Sequence, residues 1–413
     1  MKRNGKIVCI VQARMSSSRL PGKSFKDICG KPVLQRVIER VSRSMLLSDV
    51  WLACSEHYTD NILEKFAEVA KNNPLADRRQ GYSAKDISDV NEQNPYIGFP
   101  YTKLMNANAF IDQSSAIIMT TVKHAKELGI NRNKWVYLHG CADTYDHWYL
   151  SDRINYYSSP AMKIACNEAL KMANCAINDI DFLDIYSCFP SAIKIACDEM
   201  NIDINTNKDL TVTGGLPYFG GPGNNYVTHS ISEIMHKVRN NIGAKGLVTA
   251  NGNYITKQSV GIYSSEQPSK MFAPTNPSLY QAKINKDKGP SFIEEANGNA
   301  YIETYTVIND REGPSFSILF GRLNDGSRFI ANTPNDKDLL LDMMAKDYLN
   351  IRGKVQNNNE IVDPLDDVSG FTGTGWVQTS GIGPGDTVSF ITVSYTHLRA
   401  HEPPEQIGFR VML

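Results

Sequence analysis

Three stretches carry residues that could gather around a ligand: 181–191 (DFLDIYSCFPS), 210–230 (LTVTGGLPYFGGPGNNYVTHS) and 246–264 (GLVTANGNYITKQSVGIYS). In each, an apolar run that reads as a strand feeds a loop of small or turn-forming residues, the pattern of a pocket rim on an α/β sheet. Glycines such as Gly220 and Gly221 would let backbone approach a ligand closely and leave N–H groups free to meet its oxygen atoms. The alternative reading of the middle stretch is a Gly/Pro surface loop.

Two other clusters have chemistry of their own. Arg14, Arg19 and Lys23 lie in QARMSSSRLPGK, a basic Ser/Gly-rich loop between the run KIVCIV and an amphipathic stretch with Val33, Leu34, Val37, Ile38 and Val41 on one face. A strand, such a loop and a helix suit a nucleoside triphosphate, CTP with magnesium being the ligand considered below. The spacing differs from the Walker loop. His139, Cys141, Asp143, Asp146 and His147 invite a metal reading, since alternate residues of a strand share a face. No second cluster with firm ligand spacing supports it, so no metal is expected.

The elements that must position these residues alternate between strand and helix from Ile62 to about Gln267, which predicts a layered α/β domain with one sheet over residues 97–264 and helices on both faces. A chain of 413 residues is long enough for two or three domains, and a net charge of -1 gives no general attraction to nucleic acid or an anionic membrane. No apolar run reaches a membrane span and the start lacks a signal-peptide core, so the expected location is cytoplasmic, with no membrane or nucleic-acid partner. The eight cysteines show no Cys-x-x-Cys pair, which favours reduced thiols.

The N-terminal words QARMSSSRLPGK and GKPVLQRVIERV resemble the cytidylyltransferases of nucleotide-sugar synthesis. The likeness covers about 55 residues and implies a Rossmann-like βαβ fragment, residues 1–58, with Arg14, Arg19 and Lys23 facing the nucleotide. Residues 62–267 resemble the thiolase superfamily through GFPYTKLMNANAFIDQ, WVYLHGCAD, DIYSCFPSA, TVTGGLPYFGGPGNNYVTHSI and GLVTANGNYITKQSVGIYS. More closely, they resemble thiolase-like proteins near the sterol-carrier-protein branch, often labelled acetyl-CoA acetyltransferases. The likeness implies the C-terminal βαβαβ half of that fold, with the N-terminal half and its nucleophilic cysteine missing ahead of Asn94.

The same resemblance locates the family's catalytic positions, and each is substituted. Its Asn or His word falls on Tyr186-Ser187-Cys188-Phe189, its Gly-His-Pro loop on Gly220-Gly221-Pro222, and its acid/base cysteine on Asn251. Glycine has no proton to give and asparagine does not titrate. Tyr186 could bind an oxyanion, and Cys188 or His229 could stand in for the lost groups, the alternatives being a packing cysteine and a helix-start histidine. Ser187, Gly220, Gly221, Asn251 and Gly252 are then expected to line an acyl-CoA pocket that binds without ordinary thiolysis and requires no cofactor.

Residues 268–299 read as a linker with several prolines, and 300–363 as a small β-rich unit with a hairpin turn at NDG, resembling the OB-like additional C-terminal domain of that branch. Acidic residues interleave with its basic ones, so a protein partner is favoured there over nucleic acid. The tail, 364–413, has neither composition nor period of a packed element and reads as disordered or artefactual. The whole reads as a chimera or truncation. Its expected function is a degenerate acyl-CoA acyltransferase homologue, with CTP-dependent sugar activation and a non-enzymatic scaffold as the alternatives.

Overall fold

The computed structural model describes residues 8–14, 49–55, 58–270, 272–333, 335–356, 360–364 and 372–373, with side chains from 62 to 355. They divide into two compact units, Met1–Tyr58 and Thr59–Leu413. In the first, β1 (Val8–Arg14) pairs in parallel with β2 (Asp49–Ser55), Val8 opposite Asp49 and Arg14 opposite Ser55. Arg19 and Lys23 lie outside the described residues, as does the Arg14 side chain.

In the second unit α1 (Tyr58–Asn72) turns Leu63, Phe66, Ala67 and Ala70 to the main core, and the short helices α2 (Ala84–Ser88), α3 (Val122–Glu127) and α6 (Gly215–Tyr218) follow along the chain. That core rests on a four-stranded sheet in the order β5 (Tyr137–Tyr145), β8 (Lys257–Ser264), β7 (Lys245–Gly252), β6 (Phe182–Asp184). β8 runs antiparallel to β5 and β7, and β6 is parallel to β7. The carboxyl ends of β5, β7 and β6 therefore share one edge, where ligands of open α/β sheets bind. Burial alternates along β8, while residues 246–249 of β7 are all buried, the strand being covered on both faces. Leu247 and Ile262 join the core built with α4 (Pro160–Ala173) and α5 (Pro190–Met200), whereas Val248 packs with Ile234 and Val238 of α7 (Tyr226–Asn240). Small residues make the fit close: a Cβ on Gly140 would stand 2.1 Å from the Ala169 carbonyl oxygen of α4.

The expected single sheet over residues 97–264 is corrected in three places. Residues 96–102, β3 (Tyr96–Gly98) and β4 (Tyr101–Thr102), form a hairpin that pairs with the C-terminal β domain instead. The apolar run 115–122 forms no strand, and its Ile118 is 85% exposed, because no described strand offers it a hydrogen-bonded neighbour. The run at 210–213 is also not a strand; its polar groups turn onto a buried carboxylate.

Residues 268–299, read as a linker, carry α8 (Pro277–Ile284), whose Tyr280 and Ile284 are buried. Beyond them β9 (Gly298–Asp310), β10 (Gly313–Leu323) and β11 (Arg328–Asn332) form an antiparallel meander, and β12 (Arg352–Gln356) and β13 (Glu360–Pro364) extend it past β9. The turn before β11 uses Gly326 at φ 89°, a left-handed conformation natural to glycine. Ala300, Ile302, Leu319 and Phe329 meet Leu339, Leu340 and Met343 of α9 (Lys337–Ala345) in a second core. Of the tail only Thr372–Gly373, a short strand beside β13, and Pro364 of β13 itself are described.

Candidate functional site

The carboxyl edge is organised by Asp184, the last residue of β6, which is fully buried. Its Oδ2 accepts from Thr211 Oγ1 at 2.9 Å, Val212 N at 3.0 Å, Thr213 N at 3.2 Å and Thr213 Oγ1 at 3.0 Å. Its Oδ1 accepts from Tyr226 Oη at 3.0 Å and Ser230 Oγ at 2.7 Å. With their protons committed to the carboxylate, the two threonine hydroxyls turn lone pairs to the next turn: Gly214 N donates to Thr211 Oγ1 and Gly215 N to Thr213 Oγ1. Burial first, then the Asp184 charge, push the Tyr226 hydroxyl well above its ordinary pKa, so it stays a donor. One carboxylate thus shapes the loop and ties it to α7.

Tyr186, Ser187 and Cys188 leave β6 at this edge. Tyr186 is half-buried, its N–H on Thr249 Oγ1 at 2.8 Å and its ring edge-on to Tyr226 at 5.5 Å. Ser187 is fully buried and accepts from Leu216 N at 3.1 Å. The Cys188 thiol lies 3.8 Å from Asn251 Nδ2, so the structure brings the first and third substituted family positions together. Cys188 is only 9% exposed, and burial pushes its thiol up to about 12 despite the Asn251 amide. A thiol so placed is protonated at neutral pH, and the protonated form is not the nucleophile. Half-buried Gly252 accepts from Thr256 N at 3.1 Å through its carbonyl.

The N–H of Gly221 is not free to meet a ligand, although the sequence suggested that it would be. Gly221 N donates to the Asn108 carbonyl at 2.8 Å, and the close approach at Gly220 is to protein: a Cβ there would meet Ile111 Cδ1 at 2.3 Å. A strap, residues 106–113, crosses the site. Ala107 N donates to the Cys188 carbonyl and Asn108 N to that of Leu216, both at 3.0 Å. At Gly214, φ 108° and a would-be Cβ 2.5 Å from Ala70 Cβ explain the second close approach, this one to α1.

His229, on the first turn of α7, packs edge-on to Phe219 at 5.2 Å, and burial lowers its pKa, leaving the ring neutral. Its Nε2 is buried with no hydrogen-bond partner among the described residues, so it is not bonded to Cys188 or Asn251. The acidic and histidine residues of β5 and its loop are engaged separately. His139 Nε2 meets the Glu266 carbonyl at 2.8 Å, and His147 Nε2 that of Asp287 at 2.6 Å. Asp146 takes the Ser159 hydroxyl and, at 3.0 Å, Ala161 N at the start of α4. Asp143 takes the Ser259 hydroxyl, and burial, then the Asp143 charge, push the Cys141 thiol up to about 11. Among the described residues no group of three or more His, Cys, Asp or Glu could hold a metal.

Sequence reading missed Asp184, whose partners lie 27 to 46 residues away, and the clamping role of the strap. It also missed Arg328, a fully buried side chain from β11 that reaches the Ser151 carbonyl at 2.6 Å and the Arg153 carbonyl. A buried aspartate or arginine carries no local periodicity that would have marked it.

Comparison with known proteins agrees with this architecture in parts. Residues 8–94 match the family described as Cytidylyltransferase, and 280–360 match "Thiolase-like protein type 1 additional C-terminal domain". The crystal structure of a monomeric SCP2-thiolase like protein type 1 from Mycobacterium smegmatis superposes with a TM-score of 0.66 at 34% identity, over 72% of this chain and 65% of that one. The 3-deoxy-manno-octulosonate cytidylyltransferases of Syntrophus aciditrophicus and Escherichia coli are 46% and 39% identical over 65 residues, 16% of this chain and 26% of each enzyme. The chain thus spans about a quarter of those enzymes and 65% of the thiolase-like protein. It is chimeric: a short cytidylyltransferase-like segment precedes a thiolase-like α/β body with its additional domain. The cytidylyltransferase match runs on to residue 94, yet from Thr59 the chain packs into the second unit, α1 lying against Gly214. No helix among the described residues is long and apolar enough to cross a membrane.

Proposed function

We propose that the thiolase-like body binds an acyl-CoA ester at the carboxyl edge of its four-stranded sheet and does not carry out thiolysis. One observation carries this reading: where the related fold needs groups that trade protons, Cys188 is a buried thiol shifted to about 12 against Asn251, and Gly221 lies under the strap. Claisen chemistry needs a thiolate and an acid/base pair, and positioning accelerates only reactions whose groups are present. The half-buried Tyr186, Asn251 and Gly252 would meet the ester, while the buried Ser187, Gly220 and Gly221 frame the wall. Loss of acetoacetyl-CoA enolate absorbance with free CoA should stay at the background rate in wild type and in Cys188→Ala, while calorimetry with acetyl-CoA registers weak binding. Turnover that disappears in Cys188→Ala would overturn the lack of thiolysis; no heat at millimolar acetyl-CoA would overturn the binding.

A second reading rests on the cytidylyltransferase match and the parallel β1–β2 pair: CTP held by the basic loop, with Arg14, Arg19 and Lys23 against its phosphates. Calorimetry with CTP and magnesium should give weak binding that declines as salt rises, since the contacts are ionic. Absence of heat at millimolar CTP would remove this reading and leave the first untouched.

A further inference from the structure

We infer that the C-terminal β domain positions the wall of the candidate pocket, acting through the β3–β4 hairpin on the strap. The chain of contacts is continuous. Phe99 N donates to the Val307 carbonyl of β9 at 2.9 Å, Thr306 Oγ1 donates to the Phe99 carbonyl at 2.8 Å, and Gly98 stands opposite Ile308. The Phe99 ring stacks on Tyr305 at 6.4 Å and packs against the C-terminal core. Two residues on, Tyr101 stacks at 6.0 Å on Phe189, the neighbour of Cys188. The chain then becomes the strap, which bonds Cys188, Leu216 and Gly221 by backbone and covers Gly220 with Ile111 and Gln113. A hairpin paired into one domain and a strap paired onto another move together, because each backbone bond lost on separation leaves a group to be satisfied again. Phe99 and Thr306 are therefore positioning residues for a site they do not touch, whatever ligand the pocket takes.

The test needs no ligand. Alkylation of the folded protein with iodoacetamide, mapped peptide by peptide, reports how often each buried thiol is uncovered, and Cys197, buried in α5 of the same body, reports wider opening. Thr306→Val, which removes one hydrogen bond, should raise the Cys188 rate about fivefold. Phe99→Ala should raise it about tenfold or more through the lost core contact. Cys197 should not change in either. Asp336→Ala removes the cap of α9, loosening the same domain away from the hairpin, and should leave Cys188 at the wild-type rate. An unchanged Cys188 rate in both hairpin variants, a parallel rise at Cys197, or an equal rise with Asp336→Ala would each overturn the inference.

Discussion

Asp184→Ala is expected to destabilise the thiolase-like body by about 5 kcal/mol or more, since several buried donors would lose their acceptor at roughly 1–3 kcal/mol each. The donors come from two chain segments: Thr211, Val212 and Thr213 in the loop, and Tyr226 and Ser230 on α7. Thr211, Thr213, Tyr226 and Ser230 are buried with Asp184 and cannot turn to water, whereas Val212 is half-buried. Asp184→Asn should be far milder. With its amide oxygen at the Oδ2 position it keeps the four bonds made there, and its NH2 group faces two hydroxyls, Tyr226 Oη and Ser230 Oγ, that can rotate to accept. Denaturant unfolding of the two variants beside wild type separates the cases, and hydrogen exchange at the Gly214, Gly215 and Leu216 amides locates the loss. Asp184→Ala within 1 kcal/mol of wild type would show that the carboxylate does not hold the loop.

Arg328→Ala should be the next largest loss, about 3–5 kcal/mol, the usual consequence of removing one partner of a buried ion pair. The guanidinium bonds both oxygens of Glu303 at 2.8 Å, reaches the carbonyls of Ser151 and Arg153 in the thiolase-like body, and lies 4.8 Å from the Tyr156 ring. It joins the C-terminal domain to the body. Arg328→Lys should recover little, since a single ammonium cannot serve a carboxylate and two carbonyls in the planar fork this site requires. Equal stability of Arg328→Lys and wild type would refute the clamp.

The pH dependence has a definite sign. Burial pushes the Glu303 carboxyl up, but hydrogen bonds and charge from Arg328 and Arg322 outweigh it and hold the carboxyl below its ordinary value. A carboxyl lowered in the folded state contributes stability that is fully present above its unfolded value, about 4.3, and is lost as pH falls through the lower folded value. Acid unfolding below about pH 4 should therefore contain a component that shrinks in Arg328→Ala.

Much of the secondary structure was legible because it rests on local pattern. The apolar runs around Leu183, Leu247 and Ile262 announce strands, and the apolar stripe of Ile164, Ala165, Ala169 and Met172 announces a helix, which the structure extends to Pro160–Ala173 and closes with the Ser159 cap and Asn174 in the left-handed position. The substituted positions Cys188, Gly221 and Asn251 could likewise be named from the sequence by resemblance. What they became there could not. Whether a thiol ionises depends on burial and neighbours, and only the fold sets Cys188 beside Asn251 and beneath the strap. The same holds for YIGFPY, an apolar run beside the thiolase-like words that the sequence assigns to the body's sheet, although its hydrogen bonds go to β9 some 200 residues later. The apolar run at 115–122 has strand composition but no strand, since backbone pairing needs a partner that composition does not supply. Asp184 and Arg328 lie furthest from sequence logic. Asp184 is a polar letter between apolar pairs and Arg328 closes the polar turn NDGS, and the meaning of each comes from donors and carbonyls brought to it across 27 to 177 residues of chain. A pattern of period two or 3.6 specifies which face is buried; long-range hydrogen bonds specify which buried charge is tolerated, and those exist only once the chain has closed around it.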